Sequence, residues 1–256
     1  MSVQFIRSAL FRSGRPLTML ALALGLAGWL AACGEPQVQP LIFGEAPWQS
    51  GETSTYAITD LNGDFAGTLQ FGIQTQPLAG GEAGWTLRRE TIAQGDREVV
   101  TVEMDDNTYL PRTTDLERTT PAGVERVSTV YANGQVDMTL TTVQDVTTYE
   151  RNQIPSDARD QRSVLMLLRT LPLEQGYAVR LNSFLPVANL LDRVTVNVTK
   201  QEEVTVPAGT FDTWVVELDT GNSETRAWIG VEAPYPLVKF TESRNGGLFE
   251  LESFAE

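Results

Sequence analysis

Alternating apolar and polar residues, a series of clear hairpin turns and one strongly apolar helical stretch predict a mainly β protein, a curved antiparallel meander wrapped around one apolar helix. The alternation is plain where Leu69, Phe71 and Ile73 interleave with Thr68, Gln70 and Gln74. It recurs at Val136, Met138 and Leu140, at Val194, Val196 and Val198, and at Trp214, Val216 and Leu218. Successive side chains of a strand point to opposite faces, so each run has one apolar and one wet face, and the apolar face needs cover.

The elements follow in chain order. A basic N-terminus carrying Arg7, Arg12 and Arg15 with no acid precedes an apolar run over residues 19–30. That length suits a signal-peptide core and falls short of a membrane-spanning helix. Leu30-Ala31-Ala32-Cys33 closes the run and reads as a bacterial lipobox. Small residues suit the peptidase pocket, cleavage is expected between Ala32 and Cys33, and Cys33 is the one thiol in the chain, placed to accept diacylglycerol and acyl chains such as palmitate. An ordinary secretory signal with an incidental Cys, or an uncleaved anchor, is the plainer alternative. The expected division is residues 1–32 as signal peptide, 33–50 as lipidated Cys and Pro-containing tether, and 51–256 as a single β-rich domain.

The tether reading rests on Pro36, Pro40 and Pro47, which lack backbone donors and favour extended chain. Leu41, Ile42, Phe43 and Trp48 are unfavourable in an exposed linker, so its later half is expected to pack on the domain. Beyond it, Asn62-Gly63, Asn133-Gly134 and Asn245-Gly246 each lie between apolar-alternating runs, and Asn-Gly supplies the positive φ pair of a type I′ hairpin. Pro121-Ala122-Gly123 and Pro207-Ala208-Gly209 mark two further reversals. The helix is expected from a cap at Ser156 or Asp157, through Val164, Leu167, Leu168 and Leu171 on one face, to Pro172. Leu165 and Met166 widen its stripe beyond what a surface helix needs, which places it in the concavity of the sheet.

Composition narrows the function. Loss of residues 1–32 removes three Arg and takes the formal charge from −14 to −17. A charge this negative argues against nucleic acid and against a polybasic grip on anionic lipid, both of which need clustered Lys or Arg, so the membrane is expected as a partner through the lipid on Cys33. There is no histidine. Ser-His-Asp and Cys-His nucleophiles, His-bound zinc and imidazole acid–base catalysis are therefore unavailable. Lys200 and Lys239 are the only lysines, and neither follows a Ser at the spacing of a Ser-Lys enzyme. A non-enzyme with no cofactor other than the covalent lipid is expected, exported and anchored to a bacterial membrane on its periplasmic or extracellular side. Gly34, rather than Asp, follows the Cys, and the choice of membrane stays open.

Several segments resemble one bacterial family. The run Gly51-Glu52 through Tyr56, the stretch Leu168-Arg169-Thr170-Leu171-Pro172-Leu173, and above all Val204-Thr205-Val206-Pro207-Ala208-Gly209-Thr210-Phe211 carry the resemblance. Trp228-Ile229 and Pro236-Leu237-Val238-Lys239 complete it. Together they are similar to the domain-of-unknown-function family numbered 3108, from about Gly51 to the C-terminus. The resemblance implies a half-barrel of antiparallel strands wrapped on a helix, similar in architecture to the lipoprotein carriers LolA and LolB and to lipid-binding mycobacterial lipoproteins. It supplies no catalytic residues.

Three acidic clusters invite a metal or carboxylate reading. Asp60, Asn62 and Asp64 look like part of a calcium loop but lack its twelve-residue length and terminal Glu, and a hairpin turn is the simpler expectation. Asp105-Asp106-Asn107 and Glu202-Glu203 read as solvated loops, and a carboxylate pair for glycoside hydrolysis needs a separation that spacing across strands does not show. Phe71, Trp85, Met166, Leu167, Trp214 and Trp228 are the candidates for lining an apolar cavity, with plain filling of the core as the alternative. The resulting expectation is a lipid-anchored envelope protein binding a hydrophobic or lipid-linked ligand in the concave face. The alternatives are an envelope scaffold that binds a protein partner and has a solid core and, after it, a carboxylate-dependent hydrolase of envelope polymers.

Overall fold

The computed structural model describes residues 38–242 and 247–256. The signal segment, Cys33 and the Asn245-Gly246 turn lie outside the described residues.

From the centre of the sheet the chain meanders outward through β1 (Thr53–Thr59), β2 (Phe65–Pro77), β3 (Ala83–Ala93), β4 (Asp96–Asp105), β5 (Pro111–Thr120), β6 (Gly123–Ala132), β7 (Gln135–Thr141) and β8 (Thr147–Gln153). It then crosses to the opposite edge at β9 (Arg159–Asp160) and makes a single helical turn, α1 (Val164–Leu167). It returns through β10 (Ala178–Leu185), β11 (Leu190–Val206), β12 (Gly209–Asp219), β13 (Glu224–Gly230), β14 (Leu237–Glu242) and β15 (Gly247–Ala255). All fifteen strands form one sheet, ordered β8 to β1 and then β15 to β9. Every pairing is antiparallel except β9 on β10. The first and last strands are thus neighbours, with Tyr56 opposite both Leu69 and Leu251.

The alternation fixes the faces. Leu69, Phe71 and Ile73 are buried, and Gln70 and Gln74 are exposed. Tyr56 sits edge-on to Phe71 and Phe240, and its hydroxyl donates to the Leu237 carbonyl at 2.7 Å. Asn133 and Gly134 both take positive φ, 51° and 76°, as a type I′ turn requires. At Asn62-Gly63 the loop is longer, and the Asp60 carboxylate accepts from the backbone N–H groups of Asn62 and Asp64. This cluster is a turn. Both Pro-Ala-Gly reversals lie between strands, β5–β6 and β11–β12.

The helix is shorter than the sequence predicts. Ser156 and Asp157 do not cap it; the first residues of the predicted helix form strand β9, paired in parallel with Ser183 and Phe184. The Asp160 carboxylate is committed to Thr114, Tyr131 and the Arg162 N–H, which fixes that stretch as extended chain. Only α1 and a 3₁₀ turn over Leu168–Thr170 remain before Pro172. Val164, Met166, Leu167 and Leu168 are buried and Leu165 is half-buried because this turn lies inside the sheet, as its wide apolar stripe predicts.

The sheet curls until its two ends meet through side chains, without a closing ladder. Tyr131 and Thr114 donate to Asp160, at 2.6 and 2.7 Å. Phe184 packs edge-on against Tyr131, over Val136 and Met138. Residues before β1 belong to the core. Gln39 bridges to Val179, Phe43 packs on Tyr109, and Trp48, 3 % exposed, contacts both Trp85 and Tyr109 edge-on.

Candidate functional site

The concave face is unfilled in two adjoining places. A groove of about 230 Å³ is lined by the apolar Val164, Leu165, Leu185, Val194 and Leu218 and by the polar Gln161, Ser183, Asp192, Thr220, Ser223 and Thr225. Beside it, a cavity of about 570 Å³ opens among Arg89, Glu98, Arg118, Arg162 and Glu242. Arg162 and Glu242 line both.

Strand register brings the charges together. Glu98 on β4 lies directly opposite Arg118 on β5, and Arg89 projects from β3 two residues from Thr91, which is opposite Glu98. Arg162 arrives from the segment between β9 and α1. Glu98 accepts from Arg118 at 2.5 Å and forms an ion pair with Arg162 at 3.1 Å, and Glu242 accepts from Arg89 at 3.0 Å. Burial pushes the Glu98 carboxyl up, but Arg162, Arg118 and Arg89 more than offset it and hold its pKa below the ordinary glutamate value. Burial lowers the pKa of Arg162, and the like charge of Arg89 acts in the same direction.

None of the six residues expected to line a cavity lines this groove or its neighbour. Phe71, Met166 and Leu167 are each 1 % exposed and fill the interior. Trp85 is half-buried against Trp48 at a separate shallow recess with Thr75, Glu82 and Asp106. Trp214 lies opposite Ile229 on the concave face, half-buried and packed on the core. Trp228 is on the other face. It stands between Val215 and Lys239, donates from its indole to Glu202, and lies beneath Arg226 and Lys239. Four successive buried positions, Ala227 to Gly230, and a bulge beside Val238 hid its side from the sequence pattern.

Of the acidic clusters, Asp105 accepts from the N–H groups of Asn107 and Thr108, and Glu202 from Lys200 and Trp228. Among the described residues no group of three or more Asp, Glu, His or Cys converges to hold a metal ion. No described helix is long and apolar enough to cross a membrane.

The Arg cluster was missed by the sequence reading, although a signal existed. Inward positions that should continue apolar alternations, as in Leu87-x-Arg89, Glu98-x-Val100 and Leu116-x-Arg118, carry charge near one end of three adjacent strands.

An open, strongly curved single sheet that holds a short apolar helical turn and is hollowed on its concave side defines the class, a β half-barrel. The chain belongs to the family described as protein of unknown function DUF3108, whose model matches residues 47–251. No curated protein matches it. Among solved structures it is similar to a β-barrel-like protein of the DUF1849 family from Brucella abortus, with 10 % identity, 80 % of this chain and 97 % of that one covered, and a TM-score of 0.49. It is also similar to a protein described provisionally as a lipoprotein from Parabacteroides distasonis, with 12 % identity, coverage of 85 % and 100 %, and a TM-score of 0.30. A third similar structure is a protein with a YmcC-like fold from Bacteroides fragilis, described provisionally as exported, with 13 % identity, coverage of 84 % and 99 %, and a TM-score of 0.29.

Proposed function

We propose that this chain is a non-enzymatic, lipid-anchored lipoprotein of the bacterial cell envelope that binds a hydrophobic or lipid-linked ligand in its concave face. The observation that carries the reading is the unfilled groove beside α1, where Val164, Leu165, Val194 and Leu218 present an apolar wall next to a polar cavity. Protein interiors pack densely, so an opening between apolar walls and convergent polar groups is the form a ligand site takes. Export and anchoring rest on the basic N-terminus, the apolar run and the lipobox at Cys33. The absence of histidine, with the single Cys assigned to lipid, argues against catalysis.

Native mass spectrometry and lipid extraction on residues 33–256 carrying Cys33→Ser test this, since without the apolar signal run and the acyl anchor any lipid retained is non-covalent and held by the domain. A stoichiometric co-purifying lipid, lost in Leu165→Asp, is expected. A clean apo mass that stays unchanged on adding envelope lipid extract refutes the reading. A protein-binding scaffold is the second reading, favoured by strand β8, which is an exposed edge carrying Tyr149 at 80 % exposure beside Val146 at 56 %.

A further inference from the structure

We infer that the polar cavity is a binding site for an oxyanion, phosphate or carboxylate, held by Arg89, Arg118 and Arg162. The inference rests on the amphiphile reading, because the anion is taken as the head group of a molecule whose tail occupies the adjoining groove.

Three elements deliver the three guanidiniums to one cavity wall: β3, β5 and the segment before α1. The Arg89 and Arg162 side chains are only 9 % and 15 % exposed. Buried guanidinium groups are rare unless paired and fully hydrogen-bonded. Here Glu98 serves Arg118 and Arg162 at once, and Glu242 serves Arg89. Of the other lining carboxylates, Asp60 is committed to its own turn and Asp96 is exposed. Asp160 and Glu125, which lie near Arg162 and Arg118, are not part of the cavity wall. The Nε–H groups of Arg89 and Arg162 are buried out of reach of the cavity and do not supply contacts to a ligand there. The planar guanidinium fork of the three arginines on the cavity wall matches the oxygens of phosphate and carboxylate.

The surroundings fit an amphiphile. Arg162 and Glu242 line both spaces, so a head group at Arg162 directs its tail over Leu165, Val194 and Leu218. At the opposite margin, Asp60 and Ala66 line the cavity, and their chain neighbours Leu61 and Phe65 are 81 % and 69 % exposed.

Titration calorimetry on residues 33–256 with Cys33→Ser, using dodecyl phosphate, dodecyl maltoside and dodecyltrimethylammonium below their micellar concentrations and inorganic phosphate alone, tests the inference. Dodecyl phosphate is expected to bind at least about tenfold more tightly than the other two amphiphiles. Arg118→Gln and Arg162→Gln are each expected to abolish most of that preference, while Arg118→Lys keeps part of it and maltoside binding holds steady. Arg118 is 34 % exposed, so its variants should keep the fold, as circular dichroism would verify. Equal affinity for the three head groups, indifferent to the Arg variants, overturns the anion site and leaves the amphiphile reading standing. Inorganic phosphate binding as tightly as dodecyl phosphate keeps the anion site, assigns it to free phosphate and removes the tail. Failure of every probe overturns both.

Discussion

Glu52→Gln is expected to be among the most damaging single-atom changes in the protein. Arg169, on the 3₁₀ turn after α1, is 3 % exposed, and Glu52, just before β1, is 2 % exposed. Their side chains form a bidentate pair at 2.6 and 2.9 Å. The same guanidinium donates to the carbonyls of Pro234 and Tyr235 and lies over the Trp48 ring at 5.5 Å. One side chain therefore ties the segment before the sheet, the central helical turn and the β13–β14 loop. Replacing the carboxylate by an amide preserves shape but strands a buried positive charge, and breaking such a pair from one side typically costs about 3–5 kcal/mol. The two carbonyl bonds survive, which places the expected loss near the lower bound, about 3 kcal/mol. For a domain of this size that lowers Tm by roughly 6–12 °C. Urea denaturation should show a lower midpoint at unchanged m-value. Glu52→Gln combined with Arg169→Met should recover much of the loss, because the stranded charge is gone. A single-variant loss below about 1 kcal/mol, or a double variant as unstable as the sum of its parts, would refute the reasoning.

Three further outcomes are expected. Trp48→Ala removes a buried ring packed on Trp85 and Tyr109, at a cost of about 3–5 kcal/mol in chemical denaturation, and a chain started at Gly51 should suffer at least as much; unchanged stability in either would contradict the packing. Gly67→Ala should destabilise by about 1–3 kcal/mol, since Gly67 has φ +155° and a Cβ there would lie 2.1 Å from the Ile92 carbonyl oxygen; a neutral melt would contradict it. The folded pKa of Glu98 lies below its unfolded value of about 4.3, so its contribution to stability is present above that pH and is lost as pH falls through the folded value. Glu98→Gln should therefore flatten the acid limb of the stability–pH profile, and an acid limb identical to that of the parent chain would remove the Arg118–Glu98–Arg162 network from the account.

What the sequence revealed and what it hid divide along the range of the interactions. Strand faces and turns depend on neighbours in the chain, and Leu69-x-Phe71-x-Ile73 and Asn133-Gly134 displayed them directly. Helical periodicity was visible too, but its extent was not, because the Asp160 carboxylate is held by Thr114 and Tyr131 from strands far away in the chain. The pairing of β1 with β15 has no local signature at all. The candidate site failed for a related reason. The large apolar side chains that attract notice, Phe71 and Leu167 among them, are what a core consumes first, and the vacant volume falls where polar and charged residues share the wall with aliphatic ones. Arg89 and Glu98 stood at inward positions of apolar alternations, a pattern that marks such a wall once the register is known.

The adjacency of β1 and β15 makes the C-terminal strand the keystone of an arch. A chain that emerges N-terminus first can lay down β1 to β8 as they appear, yet β1 keeps one open edge until residues 247–256 arrive to fill it. Until then the growing sheet offers a sticky margin to any other strand nearby. Completion waits on the most sequence-distant pairing in the molecule, and loss of the last few residues injures the middle of the sheet rather than its fringe.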